Sequence, residues 1–319
     1  QLGVELFFVL SGFLIGGILA AEAESGDLDV RQFWIRRWLR TLPNYYLFLL
    51  LNLLLERYAT GAWPHAWSYV FFWQNLAWPN PPFYPESWSL AIEEIFYLVA
   101  PLLIVLARGR LARWMRPIPL IVLGILVFTG IRIAYVLHGN PDWDAGVRKV
   151  TLVRLDAIAY GVLAIVLVRR LQPSMRAAAA IACAGLVGTA FCVWICLAWP
   201  RDTSLFARTF LFNLIPLSFA AFLPIAALWK RSGLPRFAEL AVARLALWSY
   251  ALYVSHLGLL RLLLEVFGWK GATPLQCLAQ ALAYAAMAIV LAALVYRVYE
   301  RPLLRWRDAI APKTAPAVA

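Results

Sequence analysis

Nine apolar stretches, separated by short connections, occupy almost the whole of this 319-residue chain. Each is close to the roughly 20 residues that an α-helix needs to cross a bilayer. Because 63% of the residues are hydrophobic and only 14% are charged, a soluble core cannot account for them. The sequence predicts an all-α fold, a polytopic transmembrane helical bundle of about nine spans. We place them near 3–20, 43–58, 88–107, 118–137, 151–168, 177–199, 207–228, 246–267 and 275–299.

The connection at residues 59–87 is rich in Trp and Pro, and its apolar middle, 69–76, is too short to cross a bilayer. Such a composition is typical of the aromatic belt at a membrane surface. We predict that this connection forms an interfacial or re-entrant segment.

Lys and Arg gather in the connections after the odd-numbered spans, whereas the opposite connections hold only Arg148, Lys149, Arg201 and Lys270. The positive-inside rule then places the C-terminus in the cytoplasm and Gln1 outside. The same bias, with contacts to anionic lipid, explains the net charge of +12. We therefore expect membrane lipids, and no nucleic acid, as partners. Because an outside start without a signal sequence is awkward, we expect one more helix before Gln1.

An arginine cluster follows the first span. Arg36 and Arg40 lie four residues apart on one helix face, and Arg37 lies beside them. Forked guanidinium groups at the inner surface suit phosphates or a pyrophosphate. They also suit an anchor on anionic lipid, because every inner connection is rich in arginine, and both interpretations stay open.

Two adjacent carboxylates, Glu93 and Glu94, lie inside the third apolar stretch, ~8 Å below its outer end at about 1.5 Å per residue. Ser89 and Tyr97 share the helix face of Glu93. Charged groups at this depth are costly and are usually functional. We predict a catalytic role in proton transfer for the two glutamates, with Trp88, Ser89 and Tyr97 contacting substrate.

Intramembrane arginines give the carboxylate pair a structural alternative, an ion pair with Arg132 or Arg154. Arg154 is followed by Asp156 near the outer end of the fifth predicted span. We expect one of the two glutamates to be the partner of Arg154. A structural role and a role in orienting substrate are both open for this arginine.

His256 is the one histidine well inside a predicted span. A lone histidine there suits a hydrogen bond between helices as well as a contact to substrate. The cysteines have no nearby His or carboxylate, so we predict small buried hydrophobes and no metal site. They are Cys183, Cys192, Cys196 and Cys277.

Six segments, in this order, resemble the bacterial acyltransferase family 3 of integral membrane O-acyltransferases. They include a Trp-Ser-Leu-x-x-Glu-Glu-x-Phe-Tyr helix start, an Arg-x-Asp-x-x-x-x-Gly motif and a closing Glu-x-Pro. One difference is minor, since Glu5 stands where the family usually has Asp. The segments are Gly3–Phe13, Arg36–Pro43, Trp88–Tyr97, Arg154–Gly161, Ser249–His256 and Glu300–Pro302.

The resemblance implies transfer of an acyl group, often acetyl, from cytoplasmic acyl-CoA to a hydroxyl of a sugar, glycolipid or related acceptor. It implies no cofactor, because acyl-CoA is the donor substrate, and a place in the bacterial cytoplasmic membrane. The family's first helix carries a basic residue and, eleven positions on, the histidine taken as its general base. That helix would precede Gln1, so we expect residues 1–319 alone to have little activity.

Two other functions compete with acyl transfer. Buried Arg, Glu and His are also what a proton-coupled transporter or flippase uses, although we detect no internal repeat of the kind such proteins show. An inactive family member is the second alternative. We divide the chain into a membrane acyltransferase domain at 1–308 and a disordered cytoplasmic tail at 309–319.

Overall fold

The computed structural model describes residues 2–26, 28–107, 117–229, 233–271 and 273–312, and within these ranges it contains helices and no strands. The predicted all-α fold is therefore confirmed. The longer helices are α1 Leu2–Ser25, α2 Val30–Thr60, α4 Ser87–Ala107, α5 Pro117–Gly139, α6 Asp156–Leu171, α7 Met175–Ala198, α9 Leu211–Ala220, α11 Arg236–Glu265, α12 Pro274–Val295 and α13 Arg301–Ile310. The short ones are α3 Trp67–Val70, α8 Leu205–Arg208 and α10 Leu223–Leu228.

Seven helical segments of the described chain are long and apolar enough to cross a membrane. They are Leu2–Ser25, Ser87–Leu106, Pro117–Gly139, Met175–Ala198, Leu211–Leu228, Arg236–Glu265 and Pro274–Ile310. The two remaining predicted spans, 43–58 and 151–168, fall on α2 and α6. The protein is thus a multi-pass helical membrane protein.

Several predicted boundaries were wrong. The helix assigned to 151–168 begins only at Asp156, after a separate 3₁₀ turn at Thr151–Val153. The span at 43–58 is the second half of a 31-residue helix that begins at Val30, where the Asp29 side chain caps the Gln32 amide at 3.0 Å. The arginine cluster therefore lies on the same helix as the span. The predicted disordered tail at 309–319 begins too early, because helix α13 continues to Ile310; residues 313–319 lie outside the described residues.

Helices α1 and α6 pack through two glycines. A Cβ atom at Gly12 would lie 2.0 Å from the carbonyl oxygen of Ile158, and one at Gly161 would lie 1.9 Å from that of Val9. Small residues let two membrane helices approach this closely. Both glycines belong to the motifs noted above, and the contact explains why those motifs need them.

The Trp-rich connection covers the outer end of α4. Its only helix is the four-residue α3, so it does not cross the membrane. Asn75 donates hydrogen bonds to the carbonyl oxygens of Trp88 at 3.2 Å and Lys149 at 2.5 Å. The Gln74 amide also donates to Ser87 Oγ at 3.3 Å. The first turn of α4 is consequently buried beneath this connection.

Candidate active site

The first two turns of α4 are buried on all sides, and they carry the two predicted catalytic glutamates. Glu93 is 1% exposed and Glu94 is 7% exposed. Apolar neighbours on α1 and α6, including Phe8 and Ile158, pack with Trp88 and Ile92 of α4 and exclude solvent from this helix. Two adjacent carboxylates in such surroundings need hydrogen-bond donors or cations.

Glu93 faces α1 and its own helix. The hydroxyl groups of Ser11 and Tyr97 lie beside its carboxylate and 2.6 Å from each other, so one of them can donate to Glu93 while the other donates within the pair. The predicted proximity of Glu93 and Tyr97 is therefore present. One carboxylate oxygen, Oε1, has no hydrogen-bond partner among the described residues, so Glu93 can accept one more donor.

Glu94 faces α2. The Thr41 hydroxyl donates to Glu94 Oε1 at 2.6 Å, and the Tyr250 hydroxyl of α11 donates to the carbonyl oxygen of Thr41 at 2.7 Å. Oxygen Oε2 of Glu94 has no hydrogen-bond partner among the described residues. Each glutamate thus keeps one free acceptor in a site enclosed by α1, α2, α4 and α11.

The predicted ion pair between Arg154 and the glutamates was wrong. Arg154 instead forms a two-point contact with Glu5 of α1, at 3.0 Å and 2.6 Å, and its guanidinium lies 4.2 Å from the ring centre of Phe212. Among the described residues no cation forms an ion pair with Glu93 or Glu94. Arg37 is the basic residue whose charge acts on both of them.

Arg132 is likewise engaged elsewhere. It pairs with Asp156 at 2.9 Å and donates to Asn213 Oδ1 at 2.6 Å, with both charged side chains fully buried. The Asn213 amide also donates to Thr129 at 2.7 Å and Tyr160 at 2.9 Å. This network joins α5, α6 and α9, so the Arg-x-Asp motif stabilises the bundle, which supports the structural interpretation of Arg154.

The three clustered arginines point in different directions. Arg36 forms an ion pair with Asp308 of α13 at 3.2 Å and donates to the carbonyl oxygen of Ala311. Arg37 lies inward, with its guanidinium 5.8 Å from the Phe33 ring, and Arg40 is exposed. Within the described part of the chain, Arg40 thus forms no hydrogen bond or ion pair, Arg37 acts on the carboxylates, and α13 engages Arg36 in part.

Trp88 and Ser89 sit at the outer end of the same helix. The Trp88 ring packs edge-on against Phe8 at 5.7 Å and beneath the Arg148 guanidinium at 4.8 Å, which leaves it 3% exposed. Ser89 Oγ lies 2.5 Å from the Tyr253 hydroxyl. Both residues are enclosed by protein, and their contact with substrate stays a prediction.

His256 lines a groove of about 460 Å³ between α11 and α12, together with Ser249, Tyr253 and Tyr284. Its Nδ1 atom lies 2.6 Å from the carbonyl oxygen of Tyr253. The hydroxyl of Tyr284 donates to the His256 carbonyl oxygen at 2.9 Å. The imidazole thus contacts the backbone of its own helix, the bond to α12 uses only the His256 carbonyl oxygen, and a substrate contact in the groove stays a prediction.

Sequence reasoning missed Ser11, Thr41, Glu86 and Glu5 as members of this region. Ser11 and Glu5 lie within the first motif, in which the aromatic residues and glycines are the more distinctive features. Thr41 lies between the arginine cluster and Pro43, and its position four residues after Arg37 was the available signal. No signal in the sequence marks Glu86 as buried.

The fold and this site define a polytopic helical membrane protein with two adjacent buried carboxylates that have no ion pair within the described ranges. A family model described as an acyltransferase domain matches residues 1–297. The chain belongs to that acyltransferase family, as the motifs predict. No group of three or more potential metal ligands occurs among the described residues.

Three relatives illustrate the similarity. Peptidoglycan O-acetyltransferase OatA of Listeria monocytogenes is 30% identical over 165 residues, which is 44% of this chain and 26% of that protein. Putative peptidoglycan O-acetyltransferase YrhL of Bacillus subtilis is 35% identical over 136 residues, 35% of the chain and 21% of the relative. A putative O-acetyltransferase of Staphylococcus aureus is 34% identical over 124 residues, 33% and 20% of the two chains.

The matched regions make up about a quarter or less of these relatives' length. No solved structure matches the chain.

Proposed function

We propose that the protein transfers an acyl group, often acetyl, from acyl-CoA to a hydroxyl group of a sugar, glycolipid or related acceptor. The observation that carries the proposal is the buried pair Glu93 and Glu94, each of which has one acceptor oxygen without a partner and no ion pair among the residues that the structure describes. Membership of the acyltransferase family supports the reaction class. The names of the relatives support a sugar polymer as acceptor and a role in the cell envelope.

In this reaction the acceptor oxygen bonds to the acyl carbon, and the carbon–sulfur bond of the thioester breaks. The hydroxyl proton finishes on the thiol of CoA, so no cofactor is needed. We assign to Glu93 Oε1, which has no partner among the described residues, the role of accepting a hydrogen bond from the acceptor hydroxyl, with Ser11 and Tyr97 beside the carboxylate. A carboxylate enclosed by apolar side chains is a stronger hydrogen-bond acceptor than one in water.

The donor would enter from the cytoplasmic side, where the arginine cluster lies. Arg40 is exposed and Arg36 is partly exposed, so both can reach the phosphates of CoA. Arg37 lies between these two and the carboxylates, on which its charge acts. We assign the protein to the bacterial cytoplasmic membrane with its C-terminus inside, in accord with the distribution of Lys and Arg.

Replacing Glu93 by Gln tests the chemical role of this carboxylate. The change keeps the shape and removes the charge, so turnover in the full-length protein should fall by roughly 10²–10⁴. Expression and thermal unfolding should stay near those of the wild type. Unchanged turnover would remove Glu93 from the chemistry, and unchanged turnover of Glu94→Gln as well would leave the pair a structural role.

Replacing Arg40 by Ala tests donor binding. Loss of one charge-assisted hydrogen bond costs roughly 1.5–3 kcal/mol, so the apparent KM for acyl-CoA should rise about ten- to hundredfold, with a smaller effect on the acceptor. Arg176, which is exposed at the start of α7, is the matched control, and Arg176→Ala should change neither constant. Normal donor affinity of Arg40→Ala would identify this arginine as a membrane anchor.

A further inference from the structure

Glu86 is buried at the outer end of the site without a hydrogen-bond partner. It directly precedes α4 and is 3% exposed, and both of its carboxylate oxygens lack a partner among the described residues. The nearest donors are the backbone amides of Glu86 itself and Gly258, and neither meets hydrogen-bond geometry. An unsatisfied buried carboxyl group is costly, and it needs an explanation in a folded protein.

The backbone carbonyl group of Glu86 has hydrogen-bond partners, and the Glu86 side chain takes no part in these structural contacts. The carbonyl oxygen of Glu86 accepts a hydrogen bond from the Tyr253 hydroxyl at 3.0 Å and a long one from Ser89 at 3.5 Å. Tyr253 in turn lines the groove between α11 and α12. The backbone of Glu86 therefore holds the outer wall of the site together, and the side chain contributes nothing to that wall.

Glu86 also lies near Glu93, the proposed catalytic residue, along the chain. It directly precedes α4 and comes seven residues before Glu93, which at about 1.5 Å per residue is a rise of about 10 Å along the helix axis. Ser89 lies between them in the sequence. Two carboxyl groups with oxygens that lack a partner among the described residues therefore occur along this segment, one at the outer end of α4 and one deeper in the bundle.

We propose that Glu86 binds a second hydroxyl group of a polyhydroxylated sugar acceptor while another hydroxyl of the same molecule lies at Glu93. This inference rests on the proposed acyl transfer and adds the part of the site that recognises the acceptor. A sugar carries several hydroxyl groups along its length, so it can reach both carboxyl groups at once. A site built to hydrogen-bond a hydroxyl discriminates strongly against molecules that lack it.

The substitution Glu86→Leu distinguishes a role in binding the acceptor from a role in stabilising the fold, because the two roles predict changes of opposite sign in the thermal unfolding midpoint. An apolar side chain of similar size removes an unsatisfied polar group, so the thermal unfolding midpoint should stay equal or rise. The KM for the acceptor should nevertheless rise about tenfold. The KM for acyl-CoA should not change. Glu86→Gln retains hydrogen-bonding capacity and should restore most of the acceptor affinity.

The experiment uses the full-length protein in membranes, labelled acetyl-CoA as donor, and an N-acetylglucosamine oligomer or a simple alcohol as acceptor. Glu86→Leu should raise the KM for the oligomer and leave the KM for the alcohol unchanged. Glu56, whose carboxylate is paired with Arg261, gives the control Glu56→Gln, which should leave both acceptors unchanged. An unchanged oligomer KM for Glu86→Leu, or a loss of stability in parallel with activity, overturns the inference.

The outcome is distinct from failure of the proposed function. If Glu93→Gln abolishes transfer while Glu86→Leu leaves every constant unchanged, acyl transfer stands and Glu86 has no part in acceptor binding. If the wild-type protein modifies the alcohol but not the oligomer, the sugar acceptor is wrong and the inference about Glu86 falls with it. If it modifies neither, both fall.

Discussion

The buried ion pair between Glu5 and Arg154 gives a stability prediction with a clear magnitude. The pair makes two hydrogen bonds, at 3.0 Å and 2.6 Å, and its side chains are 4% and 0% exposed. Glu5→Gln keeps the shape but leaves the guanidinium charge buried with no compensating charge. Removing one partner of a buried pair costs roughly 3–5 kcal/mol, and we expect that loss in the free energy of unfolding.

The chain offers a matched control on the same helix. Glu24 of α1 pairs with Arg169 of α6, and these side chains are 66% and 29% exposed. An ion pair in water contributes roughly 0–1 kcal/mol, so Glu24→Gln should change the free energy of unfolding by no more than that. The two variants remove the same chemical group from the same helix, α1, and their ion pairs differ mainly in burial.

The free energy of unfolding would be measured by titrating the purified protein with SDS in mixed micelles, with refolding tested for each variant. Glu5→Asp, the residue usual at this position in the resembled family, keeps the charge and should cost about 1 kcal/mol through one lengthened hydrogen bond. The double variant Glu5→Leu with Arg154→Met should cost less than Glu5→Gln alone. Equal costs for Glu5→Gln and Glu24→Gln would refute the reasoning.

Three further predictions concern packing, a buried amide and pH. Gly161→Ala should destabilise the protein by several kcal/mol, because the new Cβ atom would meet a backbone carbonyl of α1 at 1.9 Å. Asn44→Leu should cost roughly 1–3 kcal/mol, since Asn44 Nδ2 donates to buried Glu300 at 2.8 Å. Burial raises the pKa of Glu86 from 4.5 to about 8, so the folded state holds an extra proton between these values. Stability should therefore fall as the pH rises through that window, by up to about 1.4 kcal/mol per pH unit from this group.

Each of these predictions has a control. Gly130→Ala, in α5 with nothing within 4 Å of the new Cβ atom, should be neutral or slightly stabilising, and an equal loss at Gly161 and Gly130 would contradict the packing argument. An unchanged unfolding midpoint for Asn44→Leu would mean that Glu300 has another donor. For Glu86, the pH slope of Glu86→Gln is subtracted from that of the wild type, and identical slopes would contradict the shift. The titratable groups whose charges interact with Glu86 are Tyr84, Tyr253 and Tyr284.

The course of the helices was predictable because the bilayer imposes it. Every predicted span falls on a helix, since a backbone in hydrocarbon must satisfy its own hydrogen bonds. The start of α6 was not predictable from hydropathy, because Thr151–Val153 is apolar but bonds to the covering connection. The Thr151 amide donates to Asn75 at 2.8 Å, a contact between segments far apart in sequence. Tertiary hydrogen bonds therefore decided the boundary.

The residues of the site could be predicted from the sequence, but the residues that they contact could not. The carboxylate pair stands out by its depth in an apolar helix, which is a property of the sequence. The partner of Arg154 could not be predicted, because Glu5, Glu93 and Glu94 are all acidic residues that a neighbouring helix could bring to the required depth. Only the close contact of α1 with α6 places Glu5 beside Arg154. Glu86 was missed because a Pro-rich connection reads as exposed until its fold over α4 is known.

The buried charges of the bundle fall into two groups that differ in how fully they are satisfied. Arg154 with Glu5, and Arg132 with Asp156, are paired charges that join α1, α5, α6 and α9. The buried carboxyl groups of α4 have no cation partner in the described part of the chain, although cations lie elsewhere in the same bundle. Within the described residues, the bundle pairs its buried charges in one region and leaves carboxyl groups without a cation in another, although it could supply cations to both. The carboxyl groups that lack a cation among the described residues are therefore the ones that we propose bind substrate, since unsatisfied buried groups are typical of functional sites.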